Sequence, residues 1–508
     1  MTASINRRQA VRMLGMAAVG APAILRGQRR VGDKPNLLFV ETDQQRADTM
    51  AVYGKRRFRV PVMNDLASRS VVFEHCYDSQ PVCTPARSTV MTGLWPHQSG
   101  CTQNNIPLRP DTRTVPELLA DSAYRTGHMG KWHLGDEVFA QHGFQEWVSI
   151  EDQYSEFFSA GRDPRARSSY SDFLEQLGYA PTSATGHFSR TFAARRPLEQ
   201  CKAAYLAGEA SKFIVKHRGE PWMLYVSFLE PHQPFFGPFD DLHDDADAPL
   251  PTNYPGLPVE REPEVYETWR QSSRKGIEAQ LGWKPRTPSA AMDEAAWREA
   301  LKALNRQYAG LCSQVDHALG QILWAVETSG QADNTIIAFT SDHGEMAGAH
   351  SLITKRVMYE EAIRVPMLLC VPWRQRSQIA VAQPVSHIDL VPTLLELMQR
   401  KVPEALLGES WVGMLDRRER REDHVFVEWT PLPQTDGPRA RTVISPDGWK
   451  LAFYDEDNCL LFHRDRDPLE MSNLYYRSEY AGTVRRLHTQ IARWQERSGD
   501  RLPLPDPV

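Results

Sequence analysis

Cys83 stands in the run Pro81-Val82-Cys83-Thr84-Pro85-Ala86-Arg87-Ser88-Thr89, two residues before a proline and four before an arginine. Pro85 suits the first turn of a helix, where its missing N–H costs nothing. Gly93 suits the residue just past a helix end. The pattern predicts a short helix starting at Cys83, with the thiol at the positive end of the helix dipole. Such a place can hold a nucleophile and an anion together. The alternative for Cys83 is an ordinary buried thiol, or a bridge to nearby Cys76 in an oxidising compartment.

Two acids extend the chemistry. The runs 36–43 and 335–342 are short and apolar, and they close on Asp43 and Asp342. Each reads as a buried parallel strand. Ligands of an open α/β sheet bind outside the carboxyl ends of its strands, so both carboxylates belong at one edge. Either acid alone could cap a following helix; the pair is better explained by a cation. Gln44 and His343 follow the two acids directly. Oxygen donors suit Ca²⁺ or Mg²⁺, and the His343 nitrogen admits Mn²⁺.

Further strand-like runs end in cations. Lys131 and His133 close the segment 124–135, and His232 follows an apolar run in a Pro-His-x-Pro loop. A lone loop histidine is usually structural; His232 is singled out by its place after a strand beside the other candidates. Lys355 lies in Ile353-Thr354-Lys355-Arg356, where adjacent Arg356 leaves open which of the two cations would bind an anion. Asn104 or Asn105, shortly after the nucleophile helix, could reach the same pocket or belong to a surface loop.

The elements that must position these residues read as an α/β chain. Helical segments are expected at 115–123, 198–216 and 294–329. The stretches 151–196 and 240–288 read as long insertions with little regular structure, placed to form a substrate mouth. After Gly408 the chain changes character: short strands are expected at 425–429, 442–444, 449–454 and 459–463, and a final helix at 481–498. A formal charge of -5 over 508 residues leaves no basic footprint for nucleic acid. The seven cysteines form no Cys-x-x-Cys pair, so a thiolate zinc site is not indicated. Arg7-Arg8 precede a mild apolar run from Met13 to Leu25, too short to span a bilayer. Residues 1–32 therefore read as a processing segment resembling a twin-arginine export signal, which implies a periplasmic or extracellular bacterial protein with no transmembrane segment.

In their order along the chain, these motifs resemble the type I sulfatases of the alkaline phosphatase superfamily. Cys83-x-Pro85-x-Arg87 resembles their nucleophile motif. There the cysteine is oxidised to formylglycine by the formylglycine-generating enzyme, and the hydrated aldehyde attacks the sulfur of a sulfate ester. Thr42-Asp43-Gln44-Gln45-Arg46 and Ser341-Asp342-His343-Gly344-Glu345-Met346 resemble the metal-binding strand ends. The commonest family pattern has Asp at the position of Gln44, and many members have Asn at that of His343. The Gln/His version resembles the subgroup containing choline sulfatases and phosphonate monoester hydrolases.

The resemblance implies one divalent metal, Ca²⁺ by default with Mg²⁺ or Mn²⁺ as alternatives, on Asp43, Gln44, Cys83, Asp342 and His343. It implies Arg87 fixing the diol, Lys131 and Lys355 on sulfate oxygens, His232 as acid for the leaving alcohol and His133 assisting the later step. Asn104 would join Lys131, His232 and Lys355 in binding substrate. The implied fold is α/β: a large, mixed, mostly parallel sheet sandwiched by helices, with a smaller C-terminal antiparallel sheet plus helix. The implied domains are a catalytic unit at 34–400 and an α+β subdomain at 401–508. The implied substrate is a sulfate monoester of a carbohydrate or aryl alcohol. The runner-up is a phosphonate monoester or phosphodiester hydrolase on the same scaffold. A glycan-binding protein without activity would have lost the nucleophile or the metal ligands, and this chain keeps both.

Overall fold

The computed structural model describes residues 34–54, 57–256, 259–284, 292–415, 420, 423–431 and 437–507. The segment read as an export signal lies outside the described residues. Eight strands form the main sheet: β1 (Asn36–Thr42), β2 (Val71–Phe73), β3 (Arg125–Gly130), β4 (Glu146–Ser149), β5 (Trp222–Ser227), β6 (Thr335–Ser341), β7 (Met367–Cys370) and β8 (Ile379–Val381). Their spatial order is β8-β2-β7-β6-β1-β5-β3-β4. All neighbours run parallel except those of β7, which is antiparallel to both β2 and β6.

The central strands are buried along their whole length, with apolar residues in their middles, because both sheet faces are covered. Along β1, Leu38 and Val40 belong to one hydrophobic layer and Leu37 and Phe39 to the other. Each such side chain contributes about 1.5–3 kcal/mol when fully removed from water. The first layer is closed by α2 (Lys202–Lys216) and α4 (Glu294–Thr328), with α1 (Cys83–Thr92) and α3 (Glu264–Gln280) completing the helices that matter for the site.

A second, antiparallel sheet runs β9 (Val425–Trp429), β10 (Ala440–Ile444), β11 (Trp449–Tyr454) and β12 (Leu460–His463), with helix α5 (Ala481–Ser498) against it. It packs on the loop that leads to Cys83. The Glu428 N–H donates to the Ser79 carbonyl at 2.8 Å, and Arg464 reaches the Tyr77 hydroxyl at 3.1 Å.

Three local expectations differ from the structure. The segment 240–288 holds a 17-residue helix, α3. Its proline-rich flanks mask an amphipathic pattern: Tyr266, Arg270 and Ile277 are buried at helical spacing, and two glutamates occupy the first turn. The segment 151–196 carries short helices at Ser169–Gln176 and Arg190–Ala194. The helix expected at 115–123 stops at Leu119, because Ala120 turns left-handed at φ 49°.

Candidate active site

Thr42 at the end of β1 and Ser341 at the end of β6 are register partners. Asp43 and Asp342 are therefore the next residues on adjacent parallel strands, although 299 positions apart. The Gln44 N–H donates to Asp342 Oδ1 at 2.9 Å, with Gln44 in the left-handed region at φ 70°. Helix α1 starts at Cys83 and ends at Gly93, which takes φ 70° and donates to the Thr89 carbonyl. The Thr84 N–H at its N-terminus is satisfied by Asn104 Oδ1 at 3.0 Å.

Cys83 Sγ lies 3.4 Å from His343 Nε2 and 3.9 Å from Asp43 Oδ1. One ligand atom each from Asp43, Cys83, Asp342 and His343 falls within 4.8 Å of the others, and all four residues are buried. His343 Nδ1 faces the Gly344 carbonyl at 3.0 Å and acts as donor there. Nε2 then presents its lone pair toward Asp342 and Asp43, 3.5 and 3.8 Å away. A lone pair facing two carboxylates is repulsive unless a cation lies between them, so this donor set fits a hard divalent ion. Burial lowers the His343 pKa, but Asp342 outweighs it and the net shift is upward.

The cations converge on the same point. Lys131 Nζ donates to Asp43 Oδ2 at 2.6 Å. Lys355 Nζ lies 2.6 Å from Gln44 Oε1 and 3.4 Å from Cys83 Sγ. Burial and Asp43 push the Cys83 thiol up, yet Lys131, Lys355 and His343 prevail and bring it down to about 6. The side-chain oxygen of Gln44 is thus engaged by Lys355, while its Nε2 donates to Gln233 and Glu345.

Arg87 is wholly buried and directs its donors inward. Nε reaches Asp342 Oδ2 at 3.0 Å, Nη2 reaches Asp43 Oδ2 at 3.1 Å, and Nη1 reaches Ser227 Oγ at 2.7 Å and the Lys131 carbonyl at 3.2 Å. It clamps the two acids together. The expected contact with a group on Cys83 is not among its bonds, because those donors are committed to the carboxylates, Ser227 and the backbone.

His232 Nδ1 bonds the Gln233 carbonyl at 2.7 Å, which leaves Nε2 free to face a ligand. Burial, with Lys355 and Lys131, outweighs the upward pull of Asp43 and holds His232 well below the usual histidine range. His133 bonds Asn105 Oδ1 through Nε2 at 2.7 Å, and its buried Nδ1 has no partner. Burial and Lys131 lower His133 as well. Of the two asparagines, Asn104 caps α1 and Asn105 orients His133.

Sequence reasoning missed four contributors. Glu41 lies two residues before Asp43 on β1 and so shares its face of the strand; its Oε2 is 3.6 Å from Arg87 Nη1 and bonds the Tyr225 hydroxyl. Burial raises Glu41 to about 7 despite Arg87. Strand parity could have found it. Ser227 ends β5 and pairs in register with both Glu41 and Gly130. Tyr154 stacks on His133 at 4.2 Å between ring centroids, and Arg190 donates to its hydroxyl at 2.8 Å. Both come from the 151–196 insertion, where no local pattern marks them.

A family profile described as Sulfatase matches residues 35–400, and one described as N-sulphoglucosamine sulphohydrolase, C-terminal, matches residues 348–497. The uncharacterized sulfatase YidJ of Escherichia coli (strain K12) is 27% identical over 484 residues, covering 92% of this chain and 88% of its own length. The N-acetylglucosamine-6-O-sulfatase of Bacteroides thetaiotaomicron is 24% identical, covering 97% of this chain and 91% of its own. The solved phosphonate monoester hydrolase from Silicibacter pomeroyi shares the fold, with a TM-score of 0.76 at 22% identity over 92% of this chain and 96% of that one.

Proposed function

The chain belongs to the sulfatase family of the alkaline phosphatase superfamily and is a sulfuric ester hydrolase, and we propose that it cleaves sulfated carbohydrates or aryl sulfates through a formylglycine at position 83 and one divalent metal. The observation that carries this reading is the convergence of Asp43, Cys83, Asp342 and His343 within 4.8 Å, beside two buried lysines. A carbohydrate ester is favoured by the relative named for N-acetylglucosamine-6-O-sulfate and by the sulphohydrolase profile over residues 348–497.

The Cys83 sulfur marks the place of the formylglycine oxygen. Hydrated formylglycine supplies a geminal diol, one hydroxyl for in-line attack at sulfur and a second for release of sulfate. Asp43, Asp342, His343 and the group at position 83 would hold Ca²⁺, or Mg²⁺ or Mn²⁺, with Gln44 at the rim; the ion supplies positive charge for a sulfate oxygen and lowers the nucleophile's pKa.

The chain's own residues do the rest. Lys131 and Lys355 bind sulfate oxygens and stabilise charge that builds during transfer, an effect worth about 3–4 kcal/mol per well-placed donor. Arg87 acts as a positioning residue that fixes the spacing of Asp43 and Asp342. His232 offers Nε2 to the leaving oxygen. The sulfate's negative charge offsets the nearby lysines and raises the His232 pKa on binding, so the ring carries its proton when needed. His133, oriented by Asn105 and Tyr154, has its free Nδ1 for the later proton transfer. Asn104 shapes the same pocket from the start of α1.

We assign catalysis to residues 34–400 and a supporting role to 401–508. We also propose export by residues 1–32, after modification of Cys83 by a formylglycine-generating enzyme. Among the described residues, no helix is long and apolar enough to cross a membrane.

The test is the mass of the peptide containing Cys83, from protein made in a host able to form formylglycine. Conversion of thiol to aldehyde lowers the mass by ~18 Da. An unmodified thiol in active enzyme would overturn the mechanism. The Gln44 and His343 pair favours a second reading, phosphonate monoester or phosphodiester hydrolysis. Relative kcat/KM on an aryl sulfate, a phosphodiester and a phosphonate monoester separates the two.

A further inference from the structure

Beside the nucleophile, a small cleft of about 60 Å³ is lined by Trp269, Ser272 and Ser273 of α3 and by the turn from Leu352 to Val357, including Lys355 and Arg356. Lys355 links the cleft to the nucleophile: it lines the cleft, and its Nζ lies 3.4 Å from Cys83 Sγ. Thr354 and Arg356 both take left-handed backbone, at φ 69° and 85°. Neither residue adopts that region readily, and strain of this kind concentrates at ligand-binding positions.

Arg356 is the unusual member. Its Nε is buried and has no hydrogen-bond partner, and among the described residues no carboxylate pairs with its guanidinium. Several other arginines around the site carry a carboxylate: Arg46 with Asp48, Arg87 with Asp43 and Asp342, Arg190 with Glu151, and Arg270 with Glu262. Burial lowers the Arg356 pKa. A buried Nε–H without a partner is costly, and a bidentate anion is what the planar fork of the guanidinium fits. The adjacent Trp269 indole is half-buried, with Tyr266 stacked at 5.6 Å. It offers an apolar surface at the rim of the cleft, with the Ser272 hydroxyl beside it; the Ser273 hydroxyl donates to the Trp269 carbonyl at 2.7 Å.

We propose that this cleft takes a second anionic group on the alcohol part of the ester, a carboxylate or another sulfate, and that Arg356 binds it. The preferred substrate is then a sulfated sugar carrying more than one negative charge. This rests on the reading of the Cys83 site as a sulfate-ester hydrolase.

The experiment compares the native chain with Arg356→Gln and Arg356→Lys on four esters: 4-nitrophenyl sulfate, N-acetylglucosamine 6-sulfate, glucosamine 2-N,6-O-disulfate and a 2-O-sulfated hexuronate sugar. The ratio of kcat/KM for the doubly anionic sugars to that for the singly anionic esters should fall about 30-fold in Arg356→Gln, mainly through KM, as expected for loss of a charge-assisted hydrogen bond. Arg356→Lys should recover part of it. Whether the loss is larger for the disulfate or the hexuronate identifies the second anion. Equal losses on all four esters, or none, would overturn the proposal.

A binding arm keeps the two readings apart. Titration of the same sugars into Cys83→Ala, with and without Arg356→Gln, reads the subsite without turnover. If no sulfate is hydrolysed by the modified native chain but Arg356 still governs binding of the doubly anionic sugars, the hydrolase reading fails and the subsite stands. If Arg356→Gln binds them as tightly as its parent, the subsite fails whatever the activity.

Discussion

The Lys131 ammonium sits 2.6 Å from Asp43 Oδ2, with both side chains wholly buried. Arg87 reaches the same oxygen at 3.1 Å, so a single carboxylate oxygen carries two cations. Burial alone would raise Asp43, but Lys131 and Arg87 hold it well below the usual carboxylate range. Lys131 rises in return. Lys131 therefore stays charged beside Cys83.

Replacing Lys131 by methionine keeps the volume and removes that charge. With Lys131 on a sulfate oxygen, kcat/KM for an aryl sulfate should drop by about 10²–10³-fold. The thermal midpoint should also fall. Breaking a buried ion pair costs about 3–5 kcal/mol when it leaves a charge unpaired, and Arg87 reduces that loss by staying on Asp43. Activity within a few-fold of the native chain would remove Lys131 from the sulfate pocket.

Metal removal gives an independent check of the donor set. Exhaustive chelation should abolish hydrolysis and lower the thermal midpoint, and added Ca²⁺ should restore both. An ion at a hundred times its dissociation constant stabilises the folded state by about 2.7 kcal/mol. Asp342→Asn should show little of this metal-dependent gain. A thermal midpoint indifferent to Ca²⁺, Mg²⁺ and Mn²⁺ would speak against a cation on Asp43, Asp342 and His343.

Much of this arrangement is legible in the sequence, for a physical reason. Strands buried on both faces read as continuous apolar runs, and the residue that ends each run must emerge at the sheet edge. That logic places Asp43, Asp342 and Lys131 together without any knowledge of strand order. It fails for residues whose role depends on packing across distant segments. Tyr154 and Arg190 sit in an irregular insertion and matter because the fold lays that insertion over His133. Asn104 and Asn105 are adjacent and chemically identical, so only geometry separates the one on Thr84 from the one on His133. Helix α3 was hidden by composition: its flanking prolines and acids outweighed a buried stripe of Tyr266, Arg270 and Ile277.

Gly130 shows how tightly the sheet edge sets Lys131. It takes φ 128°, and a Cβ there would lie 1.8 Å from the Ser227 carbonyl oxygen. That same oxygen accepts the Lys131 N–H at 3.0 Å. Gly130→Ala must push β3 away from β5 and carry Lys131 with it. The strained backbone alone costs about 1–3 kcal/mol. Activity should fall further than stability, by at least about tenfold in kcat/KM, because displacements near 1 Å at a positioning residue are costly to catalysis. A variant with a lowered melting point but native kcat/KM would show that Lys131 tolerates the shift.

A buried acid away from the site makes a prediction about pH. Asp316 on α4 receives the Met63 N–H at 2.7 Å and the Val62 N–H at 3.2 Å, and so caps the helix Pro61–Ser68 from outside. Burial dominates these two bonds and raises its pKa from 3.8 to about 7. The folded state then holds a proton that the unfolded chain has released. That stabilisation is complete below the unfolded pKa and is lost as pH rises through about 7. Between these limits the unfolding free energy should fall with rising pH, by up to about 1.4 kcal/mol per pH unit from this group. Asp316→Asn stays neutral throughout and should remove that component. The measurement is denaturant unfolding of both proteins at several values between pH 4.5 and 8. Parallel pH dependences would mean that Asp316 is ionised in the folded protein and acts as a charged cap.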